Sequence, residues 1–384
     1  MANTLGVYNP VFYAQEALIQ LEKSLGMATR VHMGFDQERR AFGLGETINI
    51  RRPSTFSVAN APATAADVTT ETVSLTLDNW REVKFSLTDK ELAFSGERII
   101  SDHIRPAAYA LANDIDTKLV ALHTEIGNQI LGPDPWTEAT ITDARKALFN
   151  QSVPLQDASN MHLMIGGNEE AELLKLEAFS QFQGGGDTGV STQMNGTLGR
   201  KFGFEVFANQ NVDTATVSTP SSDLAGAVDN AADYAKGSTS IVIDALGAST
   251  LHEEGMGVSF AGHSKIYALA SATTTSAGGS GTFVLGEGLQ EAVVDDEVVT
   301  LHTTNAGTQC VAFHSNAFAL VMAPLSEMGN ELGANIATVQ DPVTGLAIRS
   351  RVYYVGNSSA VHVALDCLYG VKTLDSQLAC RISG

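Results

Sequence analysis

The stretch from Arg98 to Ile130 sets the strongest condition on what this chain can become. Its apolar residues, Ile100, Ile104, Ala108, Leu111, Ile115, Leu119, Leu122, Ile126 and Ile130, recur in steps of three and four. That spacing is one face of an α-helix. Asn113, Asp114, Asp116, Lys118 and Glu125 fall on the opposite face and are expected to meet water or a neighbouring chain. Pro106 either occupies the first turn, where its missing N–H costs nothing, or bends an earlier one. From Pro106 to Ile130 the helix would run roughly 36 Å. A helix of that length is a spine, and other elements must lie across it.

The chain has 384 residues, enough for two or three domains. It is 44% hydrophobic and 17% charged, a globular balance. It carries 23 basic and 43 acidic side chains, a formal charge of −20. That argues against a protein that grips nucleic acid by its phosphates. It leaves room for a protein that lives beside DNA and must not stick to it, and self-repulsion keeps an acidic subunit soluble until its interfaces overcome the charge. Cys310, Cys367 and Cys380 are odd in number and far apart, which predicts no disulfide framework. Met1 to Pro10 lacks the pattern of a secretory signal, and no apolar run has the length to span a bilayer. A soluble protein made in the cytosol is expected.

At the N-terminus, Asn9 and Pro10 read as a helix start. Val11, Ala14, Leu18, Leu21 and Leu25 form a stripe that Gly26 ends. So short a helix must dock, either on its own core or on another subunit. Two strand patterns follow. Ile48, Ile50, Phe56 and Val58 share one parity; Val73, Leu75, Leu77, Val83, Phe85 and Leu87 share another. As a single strand, Glu71 to Leu87 would reach roughly 55 Å. The small, low-complexity segment Ala59 to Thr70 lies between them. This predicts a long two-stranded arm with a soft tip, which needs a partner surface. The alternative is a local hairpin turning at Asp78-Asn79. Thr88-Asp89-Lys90-Glu91 fits a capping box opening a short helix.

Beyond the spine, a helix is expected over Thr140 to Asn150, a strand over Met161 to Ile165, a helix over Glu169 to Phe179, a glycine loop at Gly184 to Gly186, and a strand over Phe204 to Ala208. From about Asp213 to Gly307 the chain becomes rich in Ala, Ser, Thr and Gly. Short strand patterns there suggest an inserted β-barrel. At Cys310 the earlier style returns, with apolar Val311 to Ala323 and buried strands at Leu346–Val355, Val361–Leu368 and Leu378–Ile382.

Motifs of chemistry are absent. Gly166-Gly167 before a helix has the outline of a phosphate cradle, but Glu169, Glu170 and Glu172 would repel a phosphate. Gly262-His263-Ser264-Lys265-Ile266 lacks the second glycine of a nucleophile elbow, and His263 is expected at the surface. Asp295-Asp296-Glu297 is expected to be a solvated turn and not a cation site. No catalytic residue, metal ligand or cofactor is assigned.

The order of elements, together with Leu75–Leu92, Arg105–Asp116, Gly203–Val212, Val311–Leu325 and Leu365–Ile382, resembles the major capsid (coat) proteins of tailed double-stranded DNA phages. The likeness is to the P-22-type branch with an inserted β domain, to which Gly257–Leu269 adds. The resemblance implies an α+β, HK-97-type capsid fold and a structural protein, not an enzyme. Carried onto this chain, it implies an N-terminal arm with an amphipathic helix (1–44), an extended β arm or E-loop (45–87), and a peripheral domain with the spine helix (88–156). An axial domain (157–212 and 309–345), the inserted barrel (213–308) and peripheral end strands (346–384) complete it. It also implies hexamers and pentamers of an icosahedral shell, assembled in the host cytoplasm with a scaffolding protein and a portal, around DNA held by proximity, with no membrane.

Basic and aromatic residues on the arm of an acidic protein favour an acidic partner, so Arg51, Arg52, Trp80, Arg81 and Lys84 are candidate contacts between subunits. Glu16 and Glu22 are candidate contacts to a basic scaffold segment. Two other functions compete: an encapsulin-like bacterial nanocompartment shell, and a monomeric β-rich carbohydrate-binding or adhesion module.

Overall fold

A computed structural model gives the fold and describes residues 13–19, 26–33, 47–51, 60–61, 72–88, 103–132, 135–180, 192–215, 224–302, 307–325, 327, 334–340 and 346–383. The helix start at Asn9-Pro10, most of the arm tip, the capped helix after Thr88, the beginning of the spine stretch and the glycine loop lie outside them. So do Arg52 and Glu22. The chain divides into two compact units. One holds 1–25, 32–115 and 319–374; the other holds 26–31, 116–318 and 375–384.

The spine helix is Arg105–Val120, about 24 Å long, shorter than its sequence pattern. Pro106 sits in its first turn. The helix tightens into a 3-10 stretch at Ala121–Glu125 and stops at Ile126, which is extended. Two tertiary facts overrule the periodicity beyond that point. A side chain at Gly127 would stand 2.5 Å from the Tyr267 carbonyl carbon. Gln129–Leu131 is captured as a parallel strand beside Arg381–Ser383. The apolar stripe itself is correct: Ile104, Ala108, Leu111, Ile115, Leu119, Leu122 and Ile126 are all buried. Asp116 breaks the expected polar face. It is 3% exposed, accepting from the Met27 N–H at 2.7 Å and from Asn209 Nδ2 at 2.6 Å.

In the first unit, residues 13–19 are helical, with Tyr13, Ala14 and Ala17 buried. The helix therefore docks within its own chain, as the first alternative held. Arm strands Thr47–Arg51 and Thr72–Thr76 pair antiparallel, Thr47 opposite Thr76. The expected long strand is broken at Leu77-Asp78, because its halves find different partners. Thr72–Thr76 joins the ribbon, while Asn79–Thr88 pairs with Ala360–Thr373. The chain does not fold back at Asp78-Asn79 as a hairpin. The base of the ribbon is anchored: Ile48, Ile50, Leu75 and Leu77 cluster with Ala319, Val321 and Ala323. Five strands form one sheet. Phe318–Ala323, Ala360–Thr373, Ala347–Val355 and Asn335–Gln340 follow in order, and Asn79–Thr88 also lies on Ala360–Thr373.

In the second unit, a seven-stranded sheet is centred on Gly307–His314, between Ala379–Ser383 and Met161–Ile165. Helix Glu138–Asn150 lays Ile141, Ala144 and Leu148 against its core. The expected insertion contains a six-stranded sheet of Ala225–Val228, Ser240–Asp244, Gly257–Phe260, Ile266–Ala268, Gly281–Val284 and Val298–His302, beside a small pair, Leu251–His252 and Thr273–Thr274. A bridge between Leu269 and Leu285 closes them into a barrel, filled by Ile241, Ile243, Val258, Tyr267, Phe283 and Val299 among others. His263 is not a surface residue. Its ring packs on Phe260 and Tyr267, and its side chain is 6% exposed, because its apolar edge completes the barrel core.

Candidate functional site

Strand Asn79–Thr88 stands at an edge of the five-stranded sheet, Thr88 opposite Ala360 and Asn79 opposite Tyr369. None of its ten residues is buried. A strand edge offers a row of backbone donors and acceptors to another chain. On the opposite edge strand, Asn335–Gln340, Thr338 is held by the residues that precede the strand. Glu327 accepts the Thr338 N–H at 2.6 Å, and the Thr338 hydroxyl donates to the Leu325 carbonyl at 3.1 Å.

Alternation gives the edge strand two different faces. Arg81, Val83, Phe85 and Leu87 lie on the face that carries buried Cys367, Leu365, Val363 and Val361. Here Tyr369 donates its hydroxyl to Asp114 of the spine helix at 2.6 Å, and Arg81 Nε lies 3.1 Å from the same carboxylate oxygen. Burial, reinforced by that hydrogen bond, pushes the Tyr369 hydroxyl above its usual pKa. Asp114 therefore fastens the edge strand and its neighbour to the helix.

The other face carries Trp80, Glu82 and Lys84 beside Asp366 and Ala364. Asp366 has no exposed surface. Arg349 Nε donates to its Oδ1 at 3.0 Å, Arg351 reaches its Oδ2 at 3.2 Å, and Trp80 Nε1 donates to Oδ2, also at 3.2 Å. Arg351 pairs in addition with Glu82 at 3.0 Å. Such a network fixes geometry more than it adds net stability, because desolvating the charges offsets most of the Coulomb gain. Lys84 lies over the Tyr353 ring at 5.2 Å, and Tyr353 stacks on His362. Trp80 nonetheless remains 58% exposed.

The candidates from sequence fall as follows. Trp80 and Lys84 share the outer face, whereas Arg81 is on the inner face and engaged by Asp114. Arg51 is exposed at the end of the ribbon strand. Glu16 lies 3.0 Å from Arg105 of its own chain. Sequence reasoning missed Arg349, Arg351 and Asp366. The signal was present: a lone Asp inside the apolar strand Ala360–Thr373, and two Arg residues two apart on its neighbour, hence on one face.

Among the described residues, no three or more His, Cys, Asp or Glu side chains are grouped to hold a metal ion. None of the helices described is long and apolar enough to cross a membrane. An open cleft of about 380 Å³ is lined by Ile130, Leu131, Thr140, Asp143, Lys146 and Asn150 among others.

Residues 70–255 match the family model described as phage capsid protein. Over that stretch the chain is similar to phage capsid proteins. No curated protein matches the chain. Among solved structures, one from Mycobacterium phage Che8 is 13% identical, covering 93% of this chain and 90% of that one, with a TM-score of 0.48. The capsid of cyanophage P-SCSP1u is 9% identical, covering 88% and 83%, at 0.44. The mature capsid of bacteriophage PhiM1 is 12% identical, covering 88% and 82%, at 0.43.

Proposed function

We propose that this capsid protein assembles with copies of itself, guided by a scaffolding protein and a portal, into an icosahedral shell of hexamers and pentamers around phage double-stranded DNA. The observation that carries the proposal is the edge strand Asn79–Thr88, ten residues without a buried side chain in a chain matched to capsid proteins. A free monomer gains nothing from an edge strand without a buried residue and with an exposed Trp, whereas a subunit whose surroundings are other subunits does. Heterologous contacts of this kind close into rings when the rotation allows.

The division of labour follows the sequence. The arm, 45–87, overlaps a neighbour and contacts it through Arg51, Arg52, Trp80, Arg81 and Lys84. Residues 1–44 form an N-terminal arm, 88–156 and 346–384 a peripheral domain, 157–212 and 309–345 an axial domain, and 213–308 an insertion. Glu16 and Glu22 receive a basic scaffold segment, which must compete with Arg105 for Glu16. Assembly takes place in the host cytoplasm, and the product is the virion wall. The charge of −20 lets packaged DNA slide along that wall without adhering.

Negative-stain imaging and light scattering of the purified protein, with and without its scaffold, test this. Closed shells are expected. A small species at every concentration, with scaffold present, would replace the proposal with a monomeric β-rich module.

A further inference from the structure

We infer that His252 is an acid-operated latch: when its ring takes a proton, the small two-stranded flap that carries it lifts off the inserted barrel, while the six-stranded sheet stays closed. The inference does not depend on the shell assembly proposed above.

The flap is built on the pair Leu251–His252 and Thr273–Thr274, with His252 opposite Thr273. It stands apart from the six-stranded sheet. Its two sides bind each other. Ser249 N–H donates to the Ser276 carbonyl at 3.0 Å, Thr275 N–H to the Thr250 carbonyl at 2.9 Å, and Thr250 N–H to Thr275 Oγ1 at 2.9 Å. Fixed points bound it. Gly255 N–H donates to the Leu269 carbonyl and Ala270 N–H to the Val284 carbonyl, both at 2.8 Å, and Leu246 N–H donates to the Gly279 carbonyl at 3.0 Å. Segments 247–252 and 271–276, joined to each other between those points, move as one unit. Two contacts hold them to the barrel. The Thr273 hydroxyl donates to the Thr282 carbonyl at 3.2 Å, and the His252 ring packs on Phe283, centroids 5.4 Å apart and planes inclined at 65°.

That ring is where acid acts. His252 has no exposed surface, and neither ring nitrogen meets a hydrogen-bond partner among the described residues. A neutral imidazole bears such a site at some cost; an imidazolium, with two N–H donors and a full charge, does not. Facing the ring are Thr273 across the strand pair and Phe283, and Thr275 packs with both around Gly281; none is charged. Glu253 and Glu254 follow in sequence, yet no carboxylate holds the proton on: burial is the sole cause acting on His252, and it lowers the pKa. The other histidines whose pKa burial lowers have partners, His123 the Val120 carbonyl, His162 the Ser315 hydroxyl and His302 the Ser259 hydroxyl. A charged His252 has nothing to neutralise it in place, so it leaves for water and takes the flap with it.

Hydrogen exchange of the purified protein, corrected for the intrinsic rate at each pH, tests this. In the closed flap the ring titrates below its usual pKa, and in the open flap near about 6.5. Closure is therefore complete above that pH, and opening grows by up to about tenfold per pH unit below it. From about pH 7 to about pH 5, protection of 247–252 and 271–276 is expected to fall at least about fivefold, while strands Ala225–Val228 and Ser240–Asp244 keep theirs. His252→Leu is expected to abolish the response and keep the flap protected in acid; His162→Gln is expected to leave the response unchanged. Equal flap protection at both pH values, or flap protection lost only together with that of the barrel strands, overturns the inference. So does a response that survives in His252→Leu. If His252→Leu does not fold, the comparison of flap with barrel in wild-type protein decides alone.

Discussion

The backbone N–H of Met27 donates to Asp116 Oδ1 at 2.7 Å, across 89 residues of chain. The second carboxylate oxygen takes Asn209 Nδ2 at 2.6 Å and Asn211 Nδ2 at 3.4 Å. One side chain in the middle of the spine helix thus fixes the approach of residues 26–31 and the loop after strand Phe204–Ala208. Arg30 completes the fastening, 3.2 Å from Glu205 with its guanidinium over the Phe207 ring at 4.1 Å.

Removing Asp116 should therefore cost more than a surface charge. Asp116→Ala leaves a buried backbone N–H and two amides without their acceptor, a loss of about 2–4 kcal/mol. Urea denaturation midpoints check this. A change no larger than that of an exposed control, Lys118→Ala, would mean the three donors find water instead.

The Asp366 network gives a second expectation. Arg349→Met leaves a fully buried carboxylate short of its forked partner, and breaking one side of a buried ion pair typically costs about 3–5 kcal/mol. The same substitution should sharpen the effect of Trp80→Ala, because the ring loses part of its support. A double-mutant cycle on unfolding free energy reads that coupling.

Acid should weaken the fold through histidine. Burial holds His162 well below its usual pKa, at about 4, against the opposing pull of Glu205, whose carboxylate is 3.4 Å away. Burial also lowers His123, His252 and His302. A ring harder to protonate in the native state than in the unfolded chain contributes stability that is complete above about pH 6.5. That contribution declines as pH falls and is exhausted near pH 4. Denaturation midpoints across this window should drop steadily with acid, and His162→Gln should flatten the slope.

Two glycines separate contact from conformation. Gly127→Ala would place a methyl group 2.5 Å from the Tyr267 carbonyl carbon and 2.6 Å from the Ile266 oxygen. The barrel must shift away, at a cost of at least about 1–3 kcal/mol. Gly167→Ala, at the start of a helix with nothing within 4 Å, should be neutral or stabilising by up to about 1 kcal/mol. Hydrogen exchange over strands Gly257–Phe260 and Ile266–Ala268 should rise for the first variant only.

The three thiols should be silent. Cys310, Cys367 and Cys380 are free and buried, and burial raises all three, Cys367 and Cys380 to about 12. A thiol-reactive dye should label none in the native protein and all three after unfolding. Labelling of native protein would show that these strands open at equilibrium.

Periodicity alone carried much of this molecule. The stripe from Ile104 to Ile126, the alternating strands, the change of composition marking the barrel and the absence of disulfides all follow from short-range rules, because side-chain spacing along a helix or strand is fixed by backbone geometry. Tertiary structure decided what those rules leave free. It ended the spine helix at Val120, because the backbone at Tyr267 and strand Arg381–Ser383 claim the residues that follow. It split the arm strand at Asp78 by giving its halves different partners. It buried Asp116 and Asp366, whose donors lie tens or hundreds of residues away. Of two adjacent arm residues that look equally suited to a partner, it set Arg81 on the face of Asp114 and Trp80 on the other. A pleat reverses its face at every residue, and only the packed sheet says which face is covered.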